Sequence, residues 1–164
     1  MMNKKIESAF NDQINAELFS DYLYLAMAAH LESENLKGMA HWMKVQADEE
    51  FEHAKRFVDF IHDRDGKVKY AAIEAPKGKW ASPLEAFKEA YEHEQYISKR
   101  IHELMDLAIA EKDYPAQEFL HWFVSEQVEE EASTLEIVGK LEMVGDSKNG
   151  LFMMDHELGK REDD

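Results

Sequence analysis

The sequence predicts an all-α fold: a four-helix bundle with a long crossover between helices 2 and 3 and a short fifth C-terminal helix. Three observations predict it. Apolar residues recur at steps of three, four and seven through four long stretches. The three prolines and seven glycines fall almost entirely where those stretches start or stop. No alternating β-branched run competes. With 164 residues, 45% of them hydrophobic, there is enough chain to bury one core, so residues 1–164 are read as a single domain. The bundle occupies about 5–145 and the fifth helix about 149–160.

The first helix runs from about Lys5 to Glu34, with Phe10, Glu17, Tyr24 and Leu31 spaced by sevens and Ile14, Leu18, Leu25 and Ala28 beside them. The polar stretch from Glu34 to Gly38 allows only a tight turn, so a second helix, about 38–64, returns antiparallel. Its inward face carries Met39, Met43, Gln46, Glu50, His53, Phe57 and Phe60. From Asp65 to Ala81 no helical period holds, and Pro76 and Gly78 break whatever might start. About 17 extended residues reach roughly 55 Å, more than the roughly 40 Å length of a helix of about 27 residues, so the third helix can run parallel to the second.

Ser82-Pro83-Leu84-Glu85 combines an N-cap serine, a first-turn proline and a capping-box glutamate, and starts the third helix. Its stripe is Leu84, Phe87, Tyr91, Glu94, Ile101 and Leu104, and it ends near Ala110. Asp113-Tyr114-Pro115 restarts the chain as a fourth helix to about Val144, with Ala116, Phe123, Glu130 and Ile137 in one row and Leu120, Gln127, Thr134 and Leu141 beside it. Gly145-Asp146 ends that helix. The fifth, with Leu151, Phe152, Met154 and Leu158, is too short to hold itself and must bury its apolar face on something.

Each of the four long helices therefore places one glutamate inside its apolar stripe: Glu17, Glu50, Glu94 and Glu130, with His53 and Gln127 one turn away. All lie near mid-helix, so antiparallel packing brings them to one level. The stripes offer no Lys or Arg at that level. Four carboxylates in a low-dielectric core need compensation, and two divalent cations supply it. Oxygen ligands with one imidazole suit iron or manganese. The alternative is a bundle whose inward glutamates reach water and set helix register. His93, His102 and His121 are lone histidines with no metal role, and Met27, Met39, Met43 and Met105 are packing residues.

The formal charge of −16 opposes nucleic acid and anionic membrane as partners and favours cations. Without cysteine there is no disulfide, thiolate zinc site or iron–sulfur cluster. The N-terminus lacks the apolar core of a signal peptide and no run is long enough to span a bilayer, so the expected location is cytoplasmic.

Glu17 within NAELFSDYLYLAMA, Glu50 and His53 within ADEEFEHAKR, Glu94 within YEHEQYI, and SEQVEEE at 125–131 together resemble non-haem ferritin of the bacterial and archaeal heavy-chain type. The likeness covers nearly the whole chain, including the crossover and the GLFMMDHEL fifth helix. It implies a ferritin-like bundle with ferroxidase activity, assembled as a homo-oligomeric 24-mer cage that stores ferric mineral. Fe(II) and O2 or H2O2 would be its small partners. By position, one site of a dinuclear non-haem iron centre resembles Glu17, Glu50 and His53, and the other Glu50, Glu94 and Glu130, with Glu50 bridging. Tyr24 and Gln127 match flanking positions, and Glu49, Glu126 and Glu129, with Glu130, match a third iron site of bacterial members. No haem is expected, because Phe51 stands where haem-binding bacterioferritins have methionine, and Gln127-Val128-Glu129-Glu130 replaces the second Glu-x-x-His of bacterioferritins and rubrerythrins. A non-storing di-iron oxidase or peroxidase, or a divalent-metal buffer, is the other reading. The fifth helix favours storage, since in ferritin-like cages a symmetry-related copy covers it.

Overall fold

A computed structural model describes residues 1–162. Five helices account for the regular structure among them: α1 (Lys4–Ser33), α2 (Lys37–Asp63), α3 (Pro83–Ala110), α4 (Tyr114–Val144) and α5 (Lys148–Leu158). Their starts are chemically marked. Asn3, Ser82, Asp113 and Ser147 each accept a backbone N–H of the following first turn. Glu85 completes the α3 cap by accepting from the Ala81 N–H, one residue before the N-cap itself. After α1, α2 and α3 the chain turns through positive-φ residues, Asn35, Asp65 and Lys112.

Contacts across the bundle give its topology. Phe10 of α1 meets Phe57 and Phe60 of α2, and Arg100 of α3 meets Gln13 of α1, so α1 is antiparallel to both neighbours. Lys88 and Glu142 pair across α3 and α4, while Trp42 packs on Phe87 where α2 and α3 both begin. α2 and α3 are therefore parallel, as the crossover length permits. That crossover, residues 64–82, is held by named contacts. Asn11 donates to the Lys67 carbonyl and accepts from the Lys69 N–H, Trp80 is buried and donates to Glu89, and Arg64 makes a forked pair with Asp113.

The apolar interior falls into two clusters, one above and one below the level of the buried glutamates. One contains Tyr24, Met27, Leu31, Met39, Met43 and Phe87. The other is built on Ile6, Phe10, Phe57, Ile101 and Phe123, with Phe57 and Phe123 ring centroids 4.5 Å apart. Outside α1, Phe60, Leu84 and Tyr91 are partly buried and Phe152 is exposed, and on α1 two expected core positions differ. Leu25 is exposed and Leu18 only partly buried, because α1 turns a different edge inward: Ile6, Gln13, Ser20 and Met27, again spaced by sevens. Two of those four are polar, so hydrophobicity alone pointed to the wrong neighbouring row.

α5 finds its support within its own chain. Met154 and Leu158 join the first cluster, Asp155 accepts the Met39 N–H at the start of α2, and Gly38 lies so close that a Cβ there would sit 1.7 Å from the Asp155 carbonyl oxygen. The opposite face, Phe152 and Met153, stays exposed. Replacing Gly38 with Ala should force α5 off α2 at a cost of about 1–3 kcal/mol, read as a lower urea midpoint for subunit unfolding. An unchanged midpoint would show that the contact is slack.

Candidate metal centre

The register of the helices brings Glu17 from α1, Glu50 and His53 from α2, Glu94 from α3 and Glu130 from α4 into the interior, all buried. Ligand atoms of Glu17, Glu50 and His53 lie within 4.8 Å of one another, as do those of Glu50, Glu94 and Glu130. Glu50 is common to both groups. His53 Nδ1 is 3.5 Å from Glu50 Oε2 and 3.9 Å from Glu17 Oε2, and all three atoms are buried without a hydrogen-bond partner among the described residues. Buried polar atoms are seldom left unpaired, because each forfeits its hydration for nothing. Three that face each other could hold a cation.

Five of the other carboxylate oxygens accept hydrogen bonds. Gln13 donates to Glu17 Oε1 at 2.7 Å, and Gln46 donates to Glu50 Oε1 at 3.0 Å and to Glu130 Oε2 at 2.7 Å. Tyr24 donates to Glu94 Oε1 at 2.5 Å, and Gln127 donates to Glu94 Oε2 and Ser98 Oγ, both at 3.2 Å. Tyr24 and Gln127 thus fix Glu94. Gln13 and Gln46 are the functional residues that sequence reasoning passed over. Their signal was present: each lies four residues before an inward glutamate, so amide and carboxylate share a helix face. Each glutamine is itself held, Gln13 Oε1 by Arg100 Nε at 2.9 Å and Gln46 Oε1 by Arg161 at 2.9 Å.

The residues matched to a third site are arranged differently from one another. Glu126 lies 4.0 Å from His53 Nε2 and forms a possible ligand group with His53 and Glu130. Glu49 is instead paired with Arg161 at 2.6 Å, and Glu129 is exposed. Neither joins a ligand group among the described residues. His53 presents Nδ1 to the buried pair and Nε2 to Glu126, so one ring borders both regions. His102 and His121 are exposed, and His93 shares a hydrogen bond with Ser20 away from the cluster.

Burial, then the neighbouring Glu50, pushes Glu17 up to about 8, and burial with Glu94 does the same to Glu130. Glu50 and Glu94 are raised well above the usual carboxylate range, first by burial and then by Glu130 and by Glu50 respectively. For Glu17 the shift from 4.5 corresponds to roughly 5 kcal/mol in favour of the neutral form. Without a cation the cluster therefore holds protons at neutral pH. A divalent ion bound there would displace them, and this oxygen-rich set with one imidazole could hold iron or manganese.

A helical bundle with carboxylates from all four helices and one Glu-x-x-His defines the class of carboxylate-bridged metal proteins. The ferritin-like domain matches residues 7–144, and the chain belongs to that family. A bacterial non-heme ferritin of Bacteroides fragilis is 45% identical, over 98% of this chain and all of its own length. One from Staphylococcus aureus is 38% identical, over 98% of this chain and 97% of its own. Among solved structures, an open-pore ferritin from the archaeon Archaeoglobus fulgidus is 49% identical with a TM-score of 0.98, covering 99% of this chain and 100% of its own. Among the described residues no helix is long and apolar enough to cross a membrane.

A carboxyl whose folded value is raised stabilises the fold below its unfolded value and loses that contribution as pH rises through the folded one. For Glu17 and Glu130 that window runs from 4.5 to about 8. The metal-free protein should therefore melt at falling temperature from pH 5 to 8, and a Glu17→Gln variant, which cannot ionise there, should show a shallower decline. Equal slopes in thermal melts would mean that Glu17 is not forced to ionise inside the fold.

Proposed function

We propose that the protein is an iron-storage ferroxidase that oxidises Fe(II) at the buried cluster and stores the ferric product in a 24-subunit cage. The observation that carries this reading is the trio of unpartnered atoms, Glu17 Oε2, Glu50 Oε2 and His53 Nδ1, joined through Glu50 to the trio of Glu50, Glu94 and Glu130. Two Fe(II) ions, the substrate, bind side by side with Glu50 shared between them. Each gives up one electron. Two electrons and two protons convert O2 to H2O2, or H2O2 to two waters. Ionised carboxylates favour Fe(III) over Fe(II) because the attraction grows with the ion's charge. Gln13, Gln46, Tyr24 and Gln127 donate to carboxylate oxygens throughout and keep the ligands aimed.

Iron reaches this buried place through a cleft of about 410 Å³ between α2 and α4. Asp48, Glu49, Glu52 and Glu126 line it together with Arg56, and the buried His53 borders it. Its acidic wall concentrates cations at the entrance. Assembly explains surface that a lone subunit leaves bare: Tyr22, Leu25 and Phe51 on α1 and α2, and Phe152 and Met153 on α5. Relatives named as ferritins at full length support storage over a small oxidase.

Aerobic loading with excess Fe(II) followed by electron microscopy should show hollow shells with dense cores. Small particles that precipitate iron would reject storage. Replacing Glu50 with Ala should abolish fast oxidation of the first two Fe(II) per subunit in stopped-flow absorbance. The metal-free variant should melt at the wild-type temperature or above it, because the cost of keeping one buried carboxyl protonated at neutral pH has gone. Wild-type oxidation by this variant would contradict the dinuclear assignment.

A further inference from the structure

Arg161 lies beyond α5, more than 110 residues from every cluster residue it approaches on α2, yet its contacts lead into the centre. The turn after α5 is pinned by the close approach of Gly159 to Gly38 and by His41 Nε2–H, which donates to the Arg161 carbonyl at 2.7 Å. From there the guanidinium lies over the Trp42 ring, 4.4 Å from its centroid, and donates to the Trp42 carbonyl at 3.3 Å. One terminal nitrogen also donates to Gln46 Oε1 at 2.9 Å, and the other to Glu49 Oε2 at 2.6 Å. Arginine only donates, so it fixes the amide: Gln46 must give its oxygen to Arg161 and its NH2 to Glu50 and Glu130.

We propose that Arg161 is a positioning residue that withholds Glu49 from a third iron while holding Gln46 as a donor to the dinuclear pair. The inference rests on the ferroxidase reading and deepens it. Glu49 stands beside the ligand group of His53, Glu126 and Glu130, at the cleft through which iron would pass. Arg161 holds Glu49 Oε2 with a full positive charge, and that charge repels a divalent cation brought to either oxygen of the same carboxylate. A third iron therefore uses Glu49 only when the C-terminal turn lets go. Occupied by Arg161, the acidic cleft passes iron inward instead of trapping it at the mouth. α1 supplies an internal parallel, since Arg100 holds Gln13, which donates to Glu17. There the arginine meets no spare carboxylate of the cleft. Only the Arg161 arm couples orientation of a ligand to competition for one.

The test is anaerobic calorimetry of Fe(II) binding to the assembled full-length protein. Wild type should take two ions per subunit tightly and a third weakly. Arg161→Gln should tighten the third by about tenfold, the strength of a lost charge-assisted hydrogen bond. In a Glu49→Gln background the same substitution should leave the affinity for the third ion unchanged, a dependence that general loosening of the C-terminus would not produce. An unchanged third ion in Arg161→Gln, or an equal change in the Glu49→Gln background, overturns the inference while the first two ions leave the ferroxidase reading standing. Failure of wild type to bind the first two overturns both. If Arg161→Gln does not assemble, wild-type crystals soaked in Fe(II) without oxygen decide the point. Glu49 should contact either Arg161 or an ion, and both together would overturn the proposal.

Discussion

Four glutamates at one level of a helical bundle, with one histidine and, among the described residues, no lysine or arginine in direct contact with them, are the constraint on which the rest of the structure depends. In the metal-free state their charges cannot coexist, and burial together with mutual repulsion raises all four carboxyls. Such a layer contributes nothing to folding at neutral pH and opposes it. The apolar clusters on either side must supply the stability that it removes, which accounts for the density of aromatic contacts among Phe10, Phe57, Phe119 and Phe123. Those same clusters hold the helices rigidly enough to keep ligand atoms close without an ion.

The polar residues around the layer divide the work. Gln13 donates to one oxygen of Glu17 and Gln46 to one oxygen of Glu50, leaving the other of each free, while Tyr24 and Gln127 hold both oxygens of Glu94. Arginine is kept one residue further away, at Gln13 and Gln46. Direct contact between arginine and these glutamates would satisfy their charge permanently and leave nothing for a metal. An intervening amide transmits orientation without neutralising the charge. The cluster thus remains in need of cations.

Much of this was legible in the sequence because helical periodicity is strict. The steps of seven through Glu17, Glu50, Glu94 and Glu130 identify an inward face, and the caps at Ser82 and Asp113 mark helix starts. The crossover length allows the parallel placing of α2 and α3. Less legible was the choice between adjacent rows on α1, where Gln13 and Ser20 face inward and Leu18 and Leu25 do not. A hydrophobicity pattern favours the leucines; the buried carboxylates need the polar residues. Arg161 was invisible for a different reason. Its partners depend on how α5 docks against Gly38, and no local pattern encodes that long-range contact. For the same reason Glu49 could be read as a ligand from its position, although in the folded chain it is already paired.

The central claim is that the buried carboxyls hold protons until metal replaces them. Proton release during anaerobic Fe(II) binding tests it most directly, measured at pH 7 by calorimetry in buffers of different ionisation enthalpy. With Glu17 and Glu130 raised to about 8 and Glu50 and Glu94 raised well above the usual carboxylate range, the first two ions per subunit should expel at least about two protons. Tight binding of two ions with no proton release would contradict the account.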